Sequence, residues 1–525
     1  MTNFYILNIY ICFCIFAANA TIYINKLGIN IGCLEVLLMA IVFVSFGSSI
    51  TNNIQPNSYV YSNAFNYIIL IILSKPIITK HIHFFHRLLT FNIIILNILF
   101  IFTSFLNSDI IVNKVSNTGI AAIFIAISAC TFLNLLYKVN SRLCKILLII
   151  LLSLNIFTIF DWRCRTAFLI FLLYLVTNKN IPKRHRIFCF ILTATTSLYI
   201  FIGDPAKIQS TIGRLFIIKN SLILFITSPF IGNGGLGSFC IKYPNIQANY
   251  FATHEELCNI HLLADNVVYA NNEYMHFLCE TGIIGFIIIC CLIILINKGM
   301  KGNTMRENLF FPIIVSSIFY YTMHIALLFT LFLLCIMTSA SSENHQHMIR
   351  HNNRNLFLVL LIFSTSISCY SINHAYSYKR MHEQFTYKDM DLQQKKDAIN
   401  NFCENKFFLM EVACSYNNTN TEIYNRIEKY FLHSEILFYE SKKLIKIKKY
   451  DIAEQKLIFA SNICPNRFRY KYELLKLYKI TRNTTKTKQT AENIMKTPIK
   501  IMSPIVLAIK KEAAELLEDS TYIKQ

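Results

Sequence analysis

The sequence predicts an all-α polytopic membrane protein, and three observations carry that prediction. Apolar residues make up 54% of the 525 residues, 43 of them Phe, and mean hydropathy is +0.45, too greasy for a soluble chain of this length. Apolar runs near the roughly 20 residues that cross a bilayer recur through the first 372 residues, and because backbone groups in lipid must pair within their own segment, those runs are helices. From Ala375 onward the composition becomes mixed and charged, with no further run of that kind.

Twelve spans follow, some short, centred on Phe13, Leu38, Leu70, Leu96, Ile125, Leu151, Leu172, Ala194, Ile289, Val315, Leu331 and Leu361. Residues 309–340 read either as two spans or as one broken, re-entrant element. The first run carries Ala17 to Ala20, as a signal peptide would, but no basic residue precedes it and many spans follow. It is therefore expected to be the first transmembrane helix.

The net charge is +21. Its Lys and Arg sit in short loops beside spans and in the tail, a topogenic and solvated distribution that argues against nucleic acid as partner. The 17 Cys lie mostly inside apolar runs without metal-ligand spacing, as small core residues do. Only Cys240 with Cys258, and Cys403 with Cys414, lie in polar segments that a disulfide could join.

Five loops are basic: 74–87, 137–145, 178–186, 297–306 and 347–354. Each alternates with a loop poorer in Lys and Arg, so the positive-inside rule puts these five in the cytoplasm and the others outside. The expected organisation is membrane helices over 1–203, an outward catalytic loop over 204–275, membrane helices again over 276–373, and an outward helical domain over 374–525. Within that last domain, residues 437–466 and 470–499 align at a step of about 33, with Leu444 over Tyr478, Ala460 over Ile494 and Pro465 over Pro498. Paired helices at this period resemble tetratricopeptide repeats. Such units either bind a partner or stabilise the enzyme, and the flanking segments 376–430 and 503–519 are expected to cap them.

The long polar interruption between Thr211 and Gly285 holds most of the candidate chemistry. Arg165, in DWRCRTAF at the mouth of a span, is a costly place for a charge unless it is paired or used; its bland reading is an interface anchor or an ion pair with Asp161. Arg214 lies in the first turn of a predicted helix, with Lys219 about one and a half turns on. A guanidinium beside free helix-terminal N–H groups suits a diphosphate. The run GNGGLG over 232–237 lacks the Lys-Ser/Thr ending of a nucleotide-binding loop and is read as a turn. Glu273, after Asn271 and Asn272, stands seven residues before Glu280 on one helical face. It is either a base for an acceptor hydroxyl or a clamp on Arg165 or Arg214. His324, in FYYTMHIALLF, is expected at the same depth, although a lone His among apolar residues is more often a satisfied core residue. No HExxH, His pair or Asp cluster suggests a metal site, and no cofactor is expected.

Together these residues resemble the O-antigen ligase and polymerase superfamily. CRTA, with Arg165, is similar to its Ser-Arg-small motif, and STIGRLFIIKNSL, with Arg214 and Lys219, to the Gly-Arg segment that opens its large periplasmic loop. SPFIGNGGLGSF, the YPNIQANYF stretch that contains Gln247, and NNEYMHFLCETGIIG, with Asn272, Glu273 and Glu280, look like motifs of Bacteroidetes-type members. The tail's PNRFRYKYELLKLY and PIKIMSPIV also look like that subgroup's extension. One departure matters: ligases of the better-known type carry His-Asn where this chain has Asn271, so the base falls to Glu273 or His324. The resemblance implies transfer of a glycan from an undecaprenyl-diphosphate carrier at the periplasmic face of the bacterial inner membrane. Arg165, Arg214, Lys219, Asn272, Gln247 and Glu280 would bind substrate, and Glu273 and His324 would be catalytic. An inverting, metal-independent displacement fits, because diphosphate is already a good leaving group. Lipid A core, a protein Ser or Thr, or another lipid-linked repeat unit could be the acceptor. A lipid-linked glycan transporter is the rival from another class; it calls for symmetry between halves and mid-membrane charges, neither of which is evident.

Overall fold

The computed structural model describes residues 2–25, 29–105, 118–178, 205–254, 258–342, 349–351, 354–387, 391–416 and 420–518, with a few residues between 182 and 195. The span predicted around Ala194 falls outside them. The chain is an all-α polytopic membrane protein: eight helices among the described residues are long and apolar enough to cross a bilayer.

Seven of the eight follow the predicted runs: α1 (Thr2–Asn25), α2 (Cys33–Thr51), α3 (Ser58–Lys80), α4 (Ile82–Phe105), α5 (Thr118–Lys138), α6 (Arg142–Asp161) and, later in the chain, α11 (Glu273–Gly299). The predicted span at Leu172 is a shorter helix, α7 (Arg165–Thr177). The eighth long apolar helix lies within α8 (Pro205–Thr227), in the segment read from sequence as the start of the polar loop. Two short helices complete that loop, α9 (Phe239–Thr253) and α10 (Cys258–Leu263).

Residues 309–340 adopt the broken form. A π-helical turn over Arg306–Phe310 runs into α12 (Phe311–Ser316), an irregular stretch and a 3₁₀ turn at Thr322–His324 follow, and α13 (Ala326–Ser342) resumes. Helix α14 (Arg354–Tyr387) contains the predicted span at Leu361 and runs on into the tail.

Small and β-branched residues make α5 (TGIAAIFIAISAC) the most enclosed helix, 89% of its apolar window being buried. It packs on α4, α6 and α7, while α1, α3 and α14 form a second group and α2 lies along α11.

The two ends of the bundle differ in chemistry. At one end the basic loops gather: His86 meets Asn303 at 3.2 Å, Thr79 donates to the Ser341 carbonyl, and two three-residue strands, β1 (Ile29–Ile31) and β2 (Ile349–His351), pair antiparallel with Ile29 opposite His351. A buried Lys75–Glu35 ion pair at 3.2 Å stands just inside, and the same Glu35 carboxylate accepts from the Gly32 N–H at 2.8 Å. Removing either partner would strand the other charge, the costly way to break such a pair. The opposite end holds the N-termini of α3, α7, α11 and α13, and with them the candidate residues.

The tail is built from α15 (Leu392–Asn401), α16 (Lys406–Ser415), α17 (Glu422–Glu428), α18 (Ser434–Lys446), α19 (Tyr450–Ile463), α20 (Phe468–Ile480), α21 (Thr484–Lys496) and α22 (Pro504–Glu518). The α18–α19 pair recurs as α20–α21 with a 34-residue offset, since Ser434 corresponds to Phe468 and Tyr450 to Thr484. Even the turns correspond. Lys448 and Arg482 both take left-handed backbone, φ 62° and 55°, and the following N–H groups of Lys449 and Asn483 return to the Leu444 and Tyr478 carbonyls. The residues matched by sequence, Leu444 with Tyr478 and Ala460 with Ile494, are all buried. Cys240, Cys403 and Cys414 are free thiols; the side chain of Cys258 lies outside the described ones.

The tail grips the loop. Gln247 donates to the Ile463 carbonyl at 2.6 Å and to that of Asp265 at 3.0 Å, Asn466 donates to the Ala264 carbonyl at 2.8 Å, and Asn266 exchanges hydrogen bonds with Ser434. Glu404 accepts from Tyr5 and Asn57, which ties the tail to α1 and α3 as well.

Inside α20, Lys471 is buried with its ammonium 2.6 Å from the Thr497 hydroxyl, and burial, then the nearby Lys510, pull its pKa down to about 8. The unfolded chain therefore holds that proton more tightly between about 8 and the ordinary lysine value, so stability rises with pH across that window. Lys471→Met is expected to raise the melting temperature of the tail at neutral pH, by up to a few kcal/mol of stability. The gain should shrink as pH passes from 8 toward 10.5, and a pH series of thermal melts in detergent checks both parts.

Candidate functional site

The site is assembled around a break in α11. At Gly282 the backbone turns to φ 66°, ψ −169°, a region open essentially to glycine alone, and the helix is interrupted. In a low-dielectric interior the freed peptide groups need partners, and the segment 228–237 supplies them. Ile283 and Ile284 donate to the carbonyls of Pro229 and Phe230 at 2.8 and 3.2 Å, and the carbonyls of Cys279 and Glu280 accept from Asn233 and Gly235 at 2.9 and 3.0 Å. So close an approach leaves no space for side chains: a Cβ on Gly282 would lie 2.3 Å from the Phe230 carbonyl oxygen, and one on Gly232 the same distance from that of Glu280. The GNGGLG run is thus a backbone patch for a broken helix.

One face of α2 holds the patch from the other side. The hydroxyls of Ser45 and Ser48 accept from Leu236 and Gly234 at 2.9 and 3.0 Å, while Ser49 and Asn52 donate to the carbonyls of Gly234 and Gly232 at 2.8 and 2.9 Å. Sequence reading missed this face. Its signal was present in SFGSSITN, where hydroxyls recur at helical spacing inside an apolar run.

Glu280, expected to bind substrate, also serves the patch: its Oε1 accepts from the Gly237 and Phe239 N–H groups at 2.8 and 3.2 Å. The same oxygen stands 3.3 Å from His276 Nε2, one turn earlier. Gln247 is spent on the tail clamp. Lys219 lies five residues beyond Arg214, about 140° round the helix, and rests over the Tyr250 ring on α9, 4.8 Å from its centre. Asn272 caps α11, accepting from the Met275 N–H at 3.0 Å.

The remaining candidates converge. Arg165, at the first turn of α7, donates to the Thr211 hydroxyl at 3.2 Å, three residues before Arg214 on α8. Arg214 donates to the Phe319 carbonyl at 3.3 Å and lies over the Tyr320 ring at 4.6 Å. The irregular segment that receives Arg214 also receives Glu273: the Glu273 N–H donates to the Ser317 carbonyl at 2.9 Å, and its Oε1 accepts from the Met323 N–H at 2.6 Å. That oxygen lies 3.3 Å from His324 Nδ1. With Nδ1–H given to the carboxylate, Nε2 is the nitrogen with a free lone pair. The His324 side chain is 29% exposed and that of Glu273 only 4%, so the buried carboxylate orients a half-buried imidazole. Tyr269 packs against His324 at 4.2 Å and stacks on Tyr321.

Chemically this is a pair of guanidiniums, able to receive an anion bidentately, next to a carboxylate–imidazole pair able to take a proton. Residues 102–290 match the family model described as O-antigen ligase. Over that stretch the chain is similar to the O-antigen ligase family. The matched stretch runs from the end of α4 into α11 and so contains Arg165, Arg214, Glu273 and Glu280, with His324 beyond it. No curated protein matches the chain. The match supports a multi-pass membrane enzyme of ligase or polymerase type that transfers glycan in lipopolysaccharide biosynthesis.

Gly282→Ala should cost several kcal/mol, because it combines a glycine-only conformation with a backbone clash, and should lower both melting temperature and transfer activity. Gly47→Ala on α2, where nothing lies within 4 Å, should leave both within error; thermal melts of the two variants side by side check the contrast.

Proposed function

We propose that this protein moves a glycan from an undecaprenyl-diphosphate carrier to an acceptor hydroxyl, at the periplasmic face of the inner membrane, with lipid A core as acceptor. The observation that carries the reading is that Arg165 bonds to Thr211 on α8, one turn before Arg214, while Arg214 bonds to the irregular segment whose other side holds the Glu273–His324 pair. The gathering of the basic loops at the far end supports an outward-facing site by the positive-inside rule.

In this mechanism the two guanidiniums hold the diphosphate and stabilise the charge that develops on it. Two fixed positive groups in a site of low dielectric meet the main demand of the reaction, since the leaving group is already good. The acceptor oxygen attacks the anomeric carbon from the face opposite the diphosphate. As that C–O bond forms, the bond from the anomeric carbon to phosphate oxygen breaks and its electron pair leaves with the diphosphate. The acceptor proton passes to His324 Nε2, and the resulting imidazolium is stabilised by Glu273. Configuration inverts, and no step calls on a metal ion. Asn272 fixes the start of α11 and hence Glu273; Glu280, Gln247 and Lys219 hold the loop around the glycan.

A second reading, transfer to a protein Ser or Thr, is favoured by one observation: the tail repeats are clamped to α9 and the 262–266 segment, where a polypeptide partner bound to the tail would meet the loop.

In proteoliposomes supplied with lipid-linked glycan, Arg165→Ala and Arg214→Ala are each expected to lower transfer by 10²-fold or more while inserting normally. Turnover at the wild-type rate in both would overturn the diphosphate assignment. Deleting the gene should abolish the lipopolysaccharide ladder and leave glycoprotein staining intact; the converse pattern would establish the protein acceptor instead.

A further inference from the structure

Behind His324 lies a second imidazole that the sequence did not single out. His276 is on α11, three residues after Glu273 and four before Glu280, and is 4% exposed. Its Nε2 faces Glu280 at 3.3 Å. Its ring sits in an aromatic cage of Phe239 at 4.8 Å, Tyr269 at 5.9 Å and His324, which it meets edge-on at 4.7 Å. Its other nitrogen, Nδ1, is buried and without a hydrogen-bond partner among the described residues, and so is Oε2 of Glu273. Two orphaned polar atoms thus lie at one candidate pair, and each buried polar group left unmatched costs about 1–3 kcal/mol.

We propose that His276 is a positioning residue for the Glu273–His324 pair, an inference that rests on the function proposed above. Glu280 accepts from Nε2 and thereby fixes the ring. The ring edge packs on His324 and holds that imidazole with Nδ1 toward Glu273 and Nε2 toward the acceptor. Glu280 is itself set by the Gly237 and Phe239 N–H groups, at the start of the same helix α9 that Gln247 ties to the tail. The orientation of the base is therefore coupled, through Glu280 and His276, to the seating of α9 on the glycan loop. This is the arrangement in which a residue behind a catalytic group governs its tautomer and aim, and whose loss typically costs 10–100-fold.

The test uses the full chain in proteoliposomes. His276→Phe keeps the aromatic packing and removes both nitrogens; His276→Asn keeps polarity but is too short to reach Glu280; His276→Gln offers Glu280 a donor again. For the Phe and Asn variants kcat is expected to fall about 10–100-fold with the KM for lipid-linked donor unchanged, and Gln should recover part of the loss. Independently of turnover, the rate at which diethyl pyrocarbonate modifies His324, followed by peptide mass spectrometry, should change several-fold in Phe and Asn and return toward wild type in Gln. If Phe does not fold, Asn carries the same expectation. Wild-type kcat and wild-type His324 reactivity in either variant overturn the proposal. So does a lowered melting temperature with unchanged His324 reactivity, since that marks a merely structural role. If the wild-type protein transfers no glycan, the functional reading fails while the reactivity measurement still decides the positioning role.

Discussion

The interruption of α11 at Gly282 is the constraint on which the rest of the site depends. An unbroken helix here would present only side chains, with its peptide groups paired internally. By breaking, it exposes two N–H and two C=O groups in a place where water cannot serve them, and the only chain able to come close enough is one with little or no side chain. The glycine run answers that demand, and the serine face of α2 answers the run in turn. Once the loop is seated, its departing N–H groups at Gly237 and Phe239 meet Glu280, and α9 starts in a defined direction. Glu280 and the start of α9 are thus positioned by a circuit of backbone hydrogen bonds rather than by the apolar packing of the bundle.

Charge is distributed to match. The membrane-facing surfaces are apolar, the basic loops collect at one end, and the buried Lys75–Glu35 pair lies on that side. At the other end the two arginines are only partly covered and lean on a carbonyl, a hydroxyl and an aromatic face. The contacts of Arg214, a carbonyl and a ring face, hold its guanidinium in place without neutralising it, which leaves its charge available to an anion. Glu273 is directed to a backbone N–H and to His324, and so is kept from forming an ion pair that would cancel the arginines. The tail adds a mechanical element: its repeats bond to the carbonyls of the segment that follows α9, so the loop is held from both the membrane side and the tail side.

Much of this organisation was legible in the sequence. Hydropathy revealed the membrane helices, because a lipid environment leaves no other way to pair the backbone. The 33-residue self-similarity of the tail revealed the paired helices, since each repeat buries the same positions against its neighbour. The arginines, Glu273 and His324 stood out because charged and titratable groups at the edges of greasy runs are expensive to keep. Other features were not legible. The apolar character of α8 was masked by its neighbours, a polar tract before and a glycine tract after. Asn272, Gln247 and Glu280 carried a polar signature that could not distinguish a ligand contact from a cap, a clamp or a backbone patch.

The sequence by itself determined the fold class, the separation of membrane and tail blocks, and the identities of most groups that meet at the site. These follow from one-dimensional properties, apolar length, charge placement and period. Only the tertiary structure decided which polar groups face one another. The pairing of Glu273 with His324, the assignment of Glu280 to the glycine loop, and the placing of His276 behind the pair all depend on segments 41 to 51 residues apart being brought together in the fold. No local pattern encodes such a meeting; for the glycine loop, what sets it is the need to satisfy peptide groups that the break in α11 exposes.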